Sequence, residues 1–242
     1  MRSDRRTFLA GAAASCAGGA AGSLLGSCAR PAPAAARAPG KPADDDEVTP
    51  AEDLMREHGV LRRVMYLYDD AADRLLGLAA AHDVPLDALA GCAGIVRRVI
   101  EEYHEKLEED FVFPRFEKAG KLGELTAVLR RQHLSGRAAT EQITRLAQAR
   151  LAEADRRTLA AALRGFNRMY RPHAAREDTV LFPEFRGIVG AHAYGELGEQ
   201  FEAKETEMLG DHGFEHAVAE VARFEQAFGL DFAALTAAIN HS

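Results

Sequence analysis

One motif occurs twice in the chain, and it combines a histidine with a glutamate four residues later. The first copy contains His104 and Glu108, and the second contains His173 and Glu177. Residues four apart lie on the same face of an α-helix, about 6 Å apart along its axis. Each copy therefore places an imidazole beside a carboxylate, which is a pair of metal ligands.

Both copies continue into the same aromatic sequence, Phe-Pro-x-Phe, which begins nine residues after the histidine, at Phe113 and at Phe182. A lone histidine also precedes each copy, His58 before the first and His133 before the second. Two helix hairpins with matching side chains can pair about a pseudo-twofold axis. The duplication therefore predicts a four-helix bundle with a polar centre.

The hydrophobic pattern predicts an all-α domain. Apolar residues recur at alternating steps of three and four, which is typical of amphipathic helices in a bundle. The predicted helices cover 50–82, 86–118, 122–150, 156–187, 191–208 and 211–228. We expect the first four to form an antiparallel up-and-down bundle and the last two to pack against it as a cover. Pro172 should bend or interrupt the fourth helix.

Six polar side chains lie at core positions on the four predicted apolar stripes: His58, His104, Glu108, His133, His173 and Glu177. A single histidine at such a position is usually a hydrogen-bonded core residue. Burial of all six without partners would cost on the order of several kcal/mol for each charge, and metal coordination removes that cost. We therefore predict a site for two metal ions. Tyr170, one turn before His173, could donate a hydrogen bond to it.

The ligand types narrow the choice of metal. The set contains no thiolate, and imidazole with carboxylate suits iron, manganese or zinc. The two glutamates supply two negative charges, whereas two divalent ions bring four positive charges and two ferric ions bring six. Exogenous anions, such as a bridging oxide or hydroxide, must supply the rest. We therefore expect an exchangeable position at which a small ligand can bind.

The lone histidines, the two His-x-x-x-Glu pairs and the Phe-Pro-x-Phe sequences together resemble the hemerythrin-like, or HHE cation-binding, domain, over residues 50–228. The resemblance implies a non-haem di-iron centre, with the histidines as terminal ligands and Glu108 and Glu177 as bridges. The oxygen carriers of this family have His-x-x-x-His on the third helix, whereas this chain has Arg137 four residues after His133. The four-histidine set looks more like the branch linked to nitric-oxide response and iron-centre repair.

Three kinds of function remain open from the sequence. The first is a protein that binds oxygen or nitric oxide as a carrier, scavenger or sensor. The second is an enzyme that acts on peroxide, oxygen or nitric oxide, and the third is an iron storage or delivery protein. We favour the binding protein because a ligand set with more nitrogen and less charge favours reversible binding of a diatomic over rapid oxidation chemistry. No general acid or base is identifiable beyond the ligands, which counts against a specific organic substrate. His212 and His216 have ligand spacing, but Gly213 interrupts their helix and no glutamate shares that face.

The first 27 residues predict an export signal. Residues 5–9, Arg-Arg-Thr-Phe-Leu, resemble the twin-arginine motif, and a modestly apolar stretch of Ala and Gly follows. Residues 24–28, Leu-Leu-Gly-Ser-Cys, resemble a lipobox, in which Cys28 is lipid-modified and becomes the new N-terminus. The alternative is simple cleavage nearby. We expect passage through the twin-arginine translocase and a periplasmic or cell-envelope location, with membrane contact only through a lipid anchor at Cys28.

Residues 28–48 are rich in Ala and Pro and end in an acidic run, which predicts an extended linker before a domain at 49–242. Thr49 and Pro50 are typical of a helix start. The formal net charge of −7 argues against nucleic acid as a partner. Only one cysteine, Cys92, lies in the predicted domain, so the domain has no internal disulfide and Cys92 is a small core side chain.

Overall fold

The computed structural model describes residues 48–79, 81, 83–148 and 151–231. These residues belong to one compact unit, Asp44–Ser242. They form six helices and contain no strand, as the sequence predicts. The export signal, Cys28 and nearly all of the linker lie outside the described residues, so their assignments stay predictions.

Four long helices form the up-and-down bundle, and two shorter helices follow. The bounds are α1 Pro50–Leu75, α2 86–119, α3 Gly123–Ala147, α4 153–189, α5 Ala191–Leu209 and α6 Gly213–Ala227. Within the bundle, α4 has its most extensive contacts with α1 and α3. Among the described residues, none of these helices is long and apolar enough to cross a bilayer.

The first helix ends earlier than predicted. Gly77 has a φ of 70°, and the Leu78 N–H donates to the Asp73 carbonyl at 2.8 Å. This is a Schellman motif, in which a glycine in the left-handed region ends the helix and satisfies its last carbonyls. The helix therefore stops at Leu75 instead of residue 82.

The other boundaries lie within about three residues of the predicted ones, which is the usual uncertainty of helix ends. The predicted N-cap, Thr49, forms a capping box with Glu52. The third helix ends at Ala147 and the fourth begins at Glu153. The sixth begins at Gly213 because His212 has a φ of 58°, outside the helical region.

Both helices that carry the repeated motif contain π-helical turns. They are Val96–His104 and Glu108–Val112 in α2, and Glu177–Leu181 in α4. The last two directly precede the Phe-Pro pairs. Proline lacks an N–H and clashes with the carbonyl four residues earlier, so we infer that the wider turn gives its ring space within a continuous helix. Such turns are frequent at functional sites.

Pro172 does not interrupt the fourth helix, and a bend at this residue stays a prediction. The α-helical segment runs from Glu153 through Pro172 to Arg176. The irregularity in α4 begins instead at Glu177, which starts the π turn.

The apolar core has two clusters. In the first, Ala217 and Val221 of α6 pack with the apolar side chains of the bundle, including those that extend from Val60 to Leu75 on α1. In the second, the phenylalanines of the repeated motif pack with Leu197 and Phe201 of α5. The two cover helices therefore pack with different parts of the bundle core.

Candidate metal centre

The structure brings all six predicted residues together inside the bundle. None has more than 2% of its surface exposed. Their potential ligand atoms form two groups, and within each group all the atoms lie within 4.8 Å of one another. One group is His58, His104 and Glu177, and the other is Glu108, His133, His173 and Glu177. Glu177 is shared between the groups, as a bridging carboxylate would be.

The four histidines direct Nε2 toward the two carboxylates. The distances are 3.4 Å from His58 and 3.1 Å from His173 to Glu177, and 3.6 Å from His104 and 3.3 Å from His133 to Glu108. The rings also lie in pairs, with centroids 4.6 Å apart for the pair on α1 and α2 and 5.0 Å apart for the pair on α3 and α4. The arrangement follows the pseudo-twofold relation that the sequence predicts.

Several of these inward-facing atoms have no hydrogen-bond partner. They are Nε2 of His104, Nε2 of His133 and both carboxylate oxygens of Glu108 and of Glu177. Buried polar atoms are rarely left unsatisfied, and each costs about 1–3 kcal/mol. Metal ions would use these atoms as ligands, and the donor set of imidazole nitrogen and carboxylate oxygen suits iron. The residues present therefore fit a two-metal centre.

Each histidine has its other ring nitrogen, Nδ1, beside an acceptor outside the centre. The Nδ1–oxygen distances are 2.7 Å from His58 to Asp178, 2.6 Å from His104 to Glu57, 3.0 Å from His133 to Glu109 and 3.0 Å from His173 to Gln132. An acceptor at Nδ1 favours the tautomer that carries its proton there. The Nε2 lone pair is then free for a metal.

Sequence reasoning missed these four acceptors, although a signal was present. Glu57 and Gln132 directly precede the lone histidines, and Glu109 and Asp178 directly follow the two glutamates. Adjacent residues on an α-helix point about 100° apart. A residue next to an inward-facing ligand can therefore reach the neighbouring helix, where a second ligand needs its outer partner.

The phenylalanines of the repeated motif pack around the centre in matching positions. Phe182 stacks on His58 with centroids 5.7 Å apart, and Phe113 stacks on His133 at 5.5 Å. The second phenylalanines of the two copies, Phe116 and Phe185, stack on each other at 6.2 Å. The repeated tails thus form an apolar wall on one side of the centre.

Without metal, the two central carboxyl groups have opposite pKa shifts. Burial raises the pKa of Glu108 well above its ordinary value, and the charge of Glu177 adds to the shift. Burial opposes ionisation of Glu177 as well, but His173 and His58 hold its pKa below the usual range. Without metal, these two directions favour a protonated Glu108 beside an ionised Glu177. Burial lowers the pKa of His104, which keeps this imidazole in the neutral form that binds metals.

Tyr170 contacts the centre indirectly. Its ring lies edge-on to His173, with centroids 5.4 Å apart, while its hydroxyl donates to Glu105 at 2.7 Å. Arg137 lies 2.8 Å from both Glu105 and Glu109. Glu109 is also the acceptor at Nδ1 of His133. Continuous polar contacts therefore run from Tyr170 through Glu105, the partly exposed Arg137 and Glu109 to the centre. Burial raises the pKa of Glu105 to about 8.

The remaining candidates lie away from the centre. His212 and His216 are exposed and belong to none of the potential ligand clusters found among the described residues. Cys92 is fully buried, and burial raises the pKa of its thiol to about 12.

The family described as the hemerythrin HHE cation-binding domain matches residues 49–185. The chain belongs to this family. The match includes all six central residues of this hemerythrin-family protein and nearly all of its four-helix bundle. Three uncharacterized proteins, one from Mycobacterium bovis and two from strains of Mycobacterium tuberculosis, are each 42% identical over 202 residues, which is 83% of this chain and 78% of the relative. No solved structure matches the chain.

Proposed function

We propose that this hemerythrin-family protein holds two iron ions between its four long helices and binds a small diatomic ligand there. The proposal rests on the different surroundings of the two ring nitrogens of each histidine. All four Nδ1 atoms have outer acceptors, and all four Nε2 atoms face Glu108 and Glu177. A core of histidines that only served packing would not need this alignment.

The side chains would divide their roles by position. Glu108 and Glu177 lie between the histidine pairs and would bridge the ions, with the histidines as terminal ligands. Two carboxylates leave a deficit of negative charge, which exogenous oxide or hydroxide would supply. When bound, the ions supply redox chemistry and an open position for oxygen or nitric oxide. The stacked rings of Phe113 and Phe182 limit water on their side of the centre.

Metal analysis of protein matured in its host tests this proposal. We expect two iron atoms per chain, and absorption spectra that change when oxygen or nitric oxide is added. Glu108→Ala should disturb both ions, whereas His216→Ala, at an exposed position away from the centre, is the matched control and should retain them. One metal atom per chain, or zinc in host-matured protein, would contradict the di-iron assignment. More than two iron atoms per chain would favour storage.

A second candidate is an enzyme that reduces peroxide or oxygen at the same centre, with the electrons supplied by an external small-molecule or protein reductant. The polar contacts from Arg137 through Glu109 to His133 favour it, because such reductions consume protons and these contacts join the centre to a partly exposed side chain. With the reductant supplied, Arg137→Gln should then slow peroxide turnover while the iron content stays the same. If wild-type protein shows no turnover with peroxide, the binding function is retained.

We also propose that the protein is exported through the twin-arginine translocase and anchored by a lipid on Cys28. Residues 5–9 and 24–28 support this proposal. Replacement of Arg5 and Arg6 with lysine should leave the precursor inside the cell. Cys28→Ala should move the exported domain from the membrane fraction to the soluble fraction. Identical partitioning with and without Cys28 would show that no lipid is attached there.

A further inference from the structure

Two grooves on the bundle surface correspond to each other through the internal repeat. One lies between α1 and α4, has a volume of about 260 Å³ and is lined by Arg62, Met65, Tyr66, Arg171, Ala174 and Ala175. The other lies between α2 and α3, has a volume of about 340 Å³ and is lined by Arg97, Glu101, Glu102, Lys106, Arg137 and Glu141. The first groove spans the turn of α4 that carries His173, and the second spans the turn of α2 that carries His104. Each groove therefore lies over a turn that holds a histidine of the centre.

The rims of the two grooves are equivalent. Arg62, in the first groove, contacts Asp178, which is the outer acceptor of His58. Arg137, in the second groove, contacts the outer acceptor of His133. In each groove an arginine thus contacts the outer partner of a central histidine, so the rims do not distinguish the two sides of the bundle.

The floors of the grooves differ in chemistry. The floor of the first groove consists of Met65 and Ala174, which are 3% and 1% exposed. The equivalent positions of the repeat, seven residues after a lone histidine and one after a paired histidine, hold Thr140 and Glu105. Glu105 is 1% exposed, accepts from the Tyr170 hydroxyl at 2.7 Å and lies 2.8 Å from the arginine of the second groove. One floor is therefore apolar, and the other is held by a network of polar contacts.

The apolar floor suits a small uncharged ligand. Oxygen and nitric oxide are nearly apolar, so they pass more readily between apolar side chains than through hydrogen-bonded groups, whose bonds must first break. Met65 is unbranched and adapts its shape readily, and Ala174 has only a methyl group. Arg62 and Arg171, the cations of this groove, each contact a carboxylate, so neither holds an unpaired charge for an anion.

We propose that the diatomic ligand reaches the centre through the groove between α1 and α4, by passing between the side chains of Met65 and Ala174. The inference rests on the proposed function and adds the route by which the ligand enters and leaves. Because both side chains are almost fully buried, the floor is closed at rest, and a rotamer change of Met65 opens it. Neither residue is a metal ligand, so both should set the rates of entry and exit and leave the affinity unchanged.

Stopped-flow binding of nitric oxide to the iron-loaded, full-length protein tests the route. Ala174→Leu fills the floor and should lower the association rate constant about tenfold, which is about 1.4 kcal/mol in the barrier. The dissociation rate constant should fall by the same factor, because entry and exit use one passage, so the Kd should not change. Met65→Ala widens the floor and should raise both rate constants, again without a change in Kd. The matched control, Ala138→Leu at an exposed position of α3, should leave both rate constants unchanged.

A second measurement requires no substitution and no reaction at iron. Dissolved oxygen is paramagnetic and speeds the relaxation of methyl protons that it approaches. In wild-type protein loaded with diamagnetic zinc and held under oxygen pressure, the methyl protons of Met65 and Ala174 should gain several-fold more relaxation than those of Thr140. Thr140 is buried at the equivalent position on the other side of the bundle, so it supplies the internal comparison. This measurement decides the question even if a variant does not fold.

The outcomes separate the inference from the proposed function. Unchanged rate constants in Ala174→Leu, or equal relaxation on the two sides, would overturn the inference and leave the proposed function intact. A weaker affinity with an unchanged association rate constant would show that Ala174 acts on the centre instead of the route, and would overturn the inference as well. Iron-loaded wild type that binds neither gas would contradict the proposed function, and the relaxation measurement would then still decide which groove oxygen enters.

Discussion

Replacement of Glu108 with glutamine should stabilise the metal-free protein while it removes the metal centre. Burial, with the charge of Glu177, raises the pKa of Glu108 well above 4.5, so the metal-free fold keeps this carboxyl protonated. In the unfolded chain the same group ionises near its ordinary value. Holding the proton costs about 1.4 kcal/mol for each pH unit above that value, or roughly 3 kcal/mol at neutral pH. Glutamine has nearly the same shape and carries no such cost.

The pH dependence has a definite sign. The folded protein binds more protons than the unfolded chain once the pH exceeds 4.5, so the stability of the metal-free wild type falls as pH rises toward the folded pKa of Glu108. The advantage of Glu108→Gln should be near zero at about pH 4 and about 3 kcal/mol at neutral pH. For a domain of this size, that is a rise in Tm of roughly 6–12 °C.

Thermal unfolding followed by circular dichroism, after removal of metal with a chelator, measures the difference at the two pH values. Glu177→Gln is the matched comparison. Because His173 and His58 hold the pKa of Glu177 low, its replacement should lower the Tm of the metal-free protein at neutral pH. An equal advantage of Glu108→Gln at both pH values, or a loss at neutral pH, would refute the protonated carboxyl. The metal-loaded wild type should melt above every metal-free form.

Three further substitutions test local packing and burial. A Cβ on Gly136 would lie 1.9 Å from the Tyr170 hydroxyl oxygen, so Gly136→Ala should lower the free energy of unfolding by about 1–2 kcal/mol. Gly165 lies in open space on α4, so Gly165→Ala should raise the free energy of unfolding by about 0.5–1 kcal/mol. A denaturant titration of each variant measures both effects. Burial, with the charge of Glu205, raises the pKa of Asp53 from 3.8 to about 6. Asp53→Asn should therefore stabilise the protein by roughly 3 kcal/mol above this pH and have little effect below about pH 4. An effect on stability that does not depend on pH would contradict this cause.

The bundle was predictable from the sequence because its helices bury one face each, and burial imposes a periodic pattern. The same pattern placed the six central residues, since each occupies a core position on its stripe. The apolar pattern did not predict the end of α1. Apolar residues continue past Gly77 in the sequence, but this glycine has a left-handed conformation and ends the helix. The pattern also failed at the three π turns, because their period differs from that of an α-helix and the Phe-Pro pairs mark the ends of only two of them.

The outer partners could not be assigned from the sequence alone. Glu57 accepts from His104 and not from its own neighbour His58, so the pairing depends on how α1 and α2 pack. The sequence does show polar residues beside the ligands, but a charged neighbour on a helix is usually solvated. The hydroxyl of Tyr170 illustrates the same difficulty. Helical spacing places it near His173, whereas its hydrogen bond is to Glu105, on another helix.

The distribution of the central residues over the helices links metal binding to unfolding. The group of His58, His104 and Glu177 takes one residue from each of α1, α2 and α4, and the other group draws on α2, α3 and α4. Neither hairpin alone contains a complete group, so bound ions would cross-link all four helices. Each group is therefore complete only when both hairpins have docked. Separation of the hairpins would break both groups at once, so we expect bound ions to slow that separation and to make the four helices unfold together.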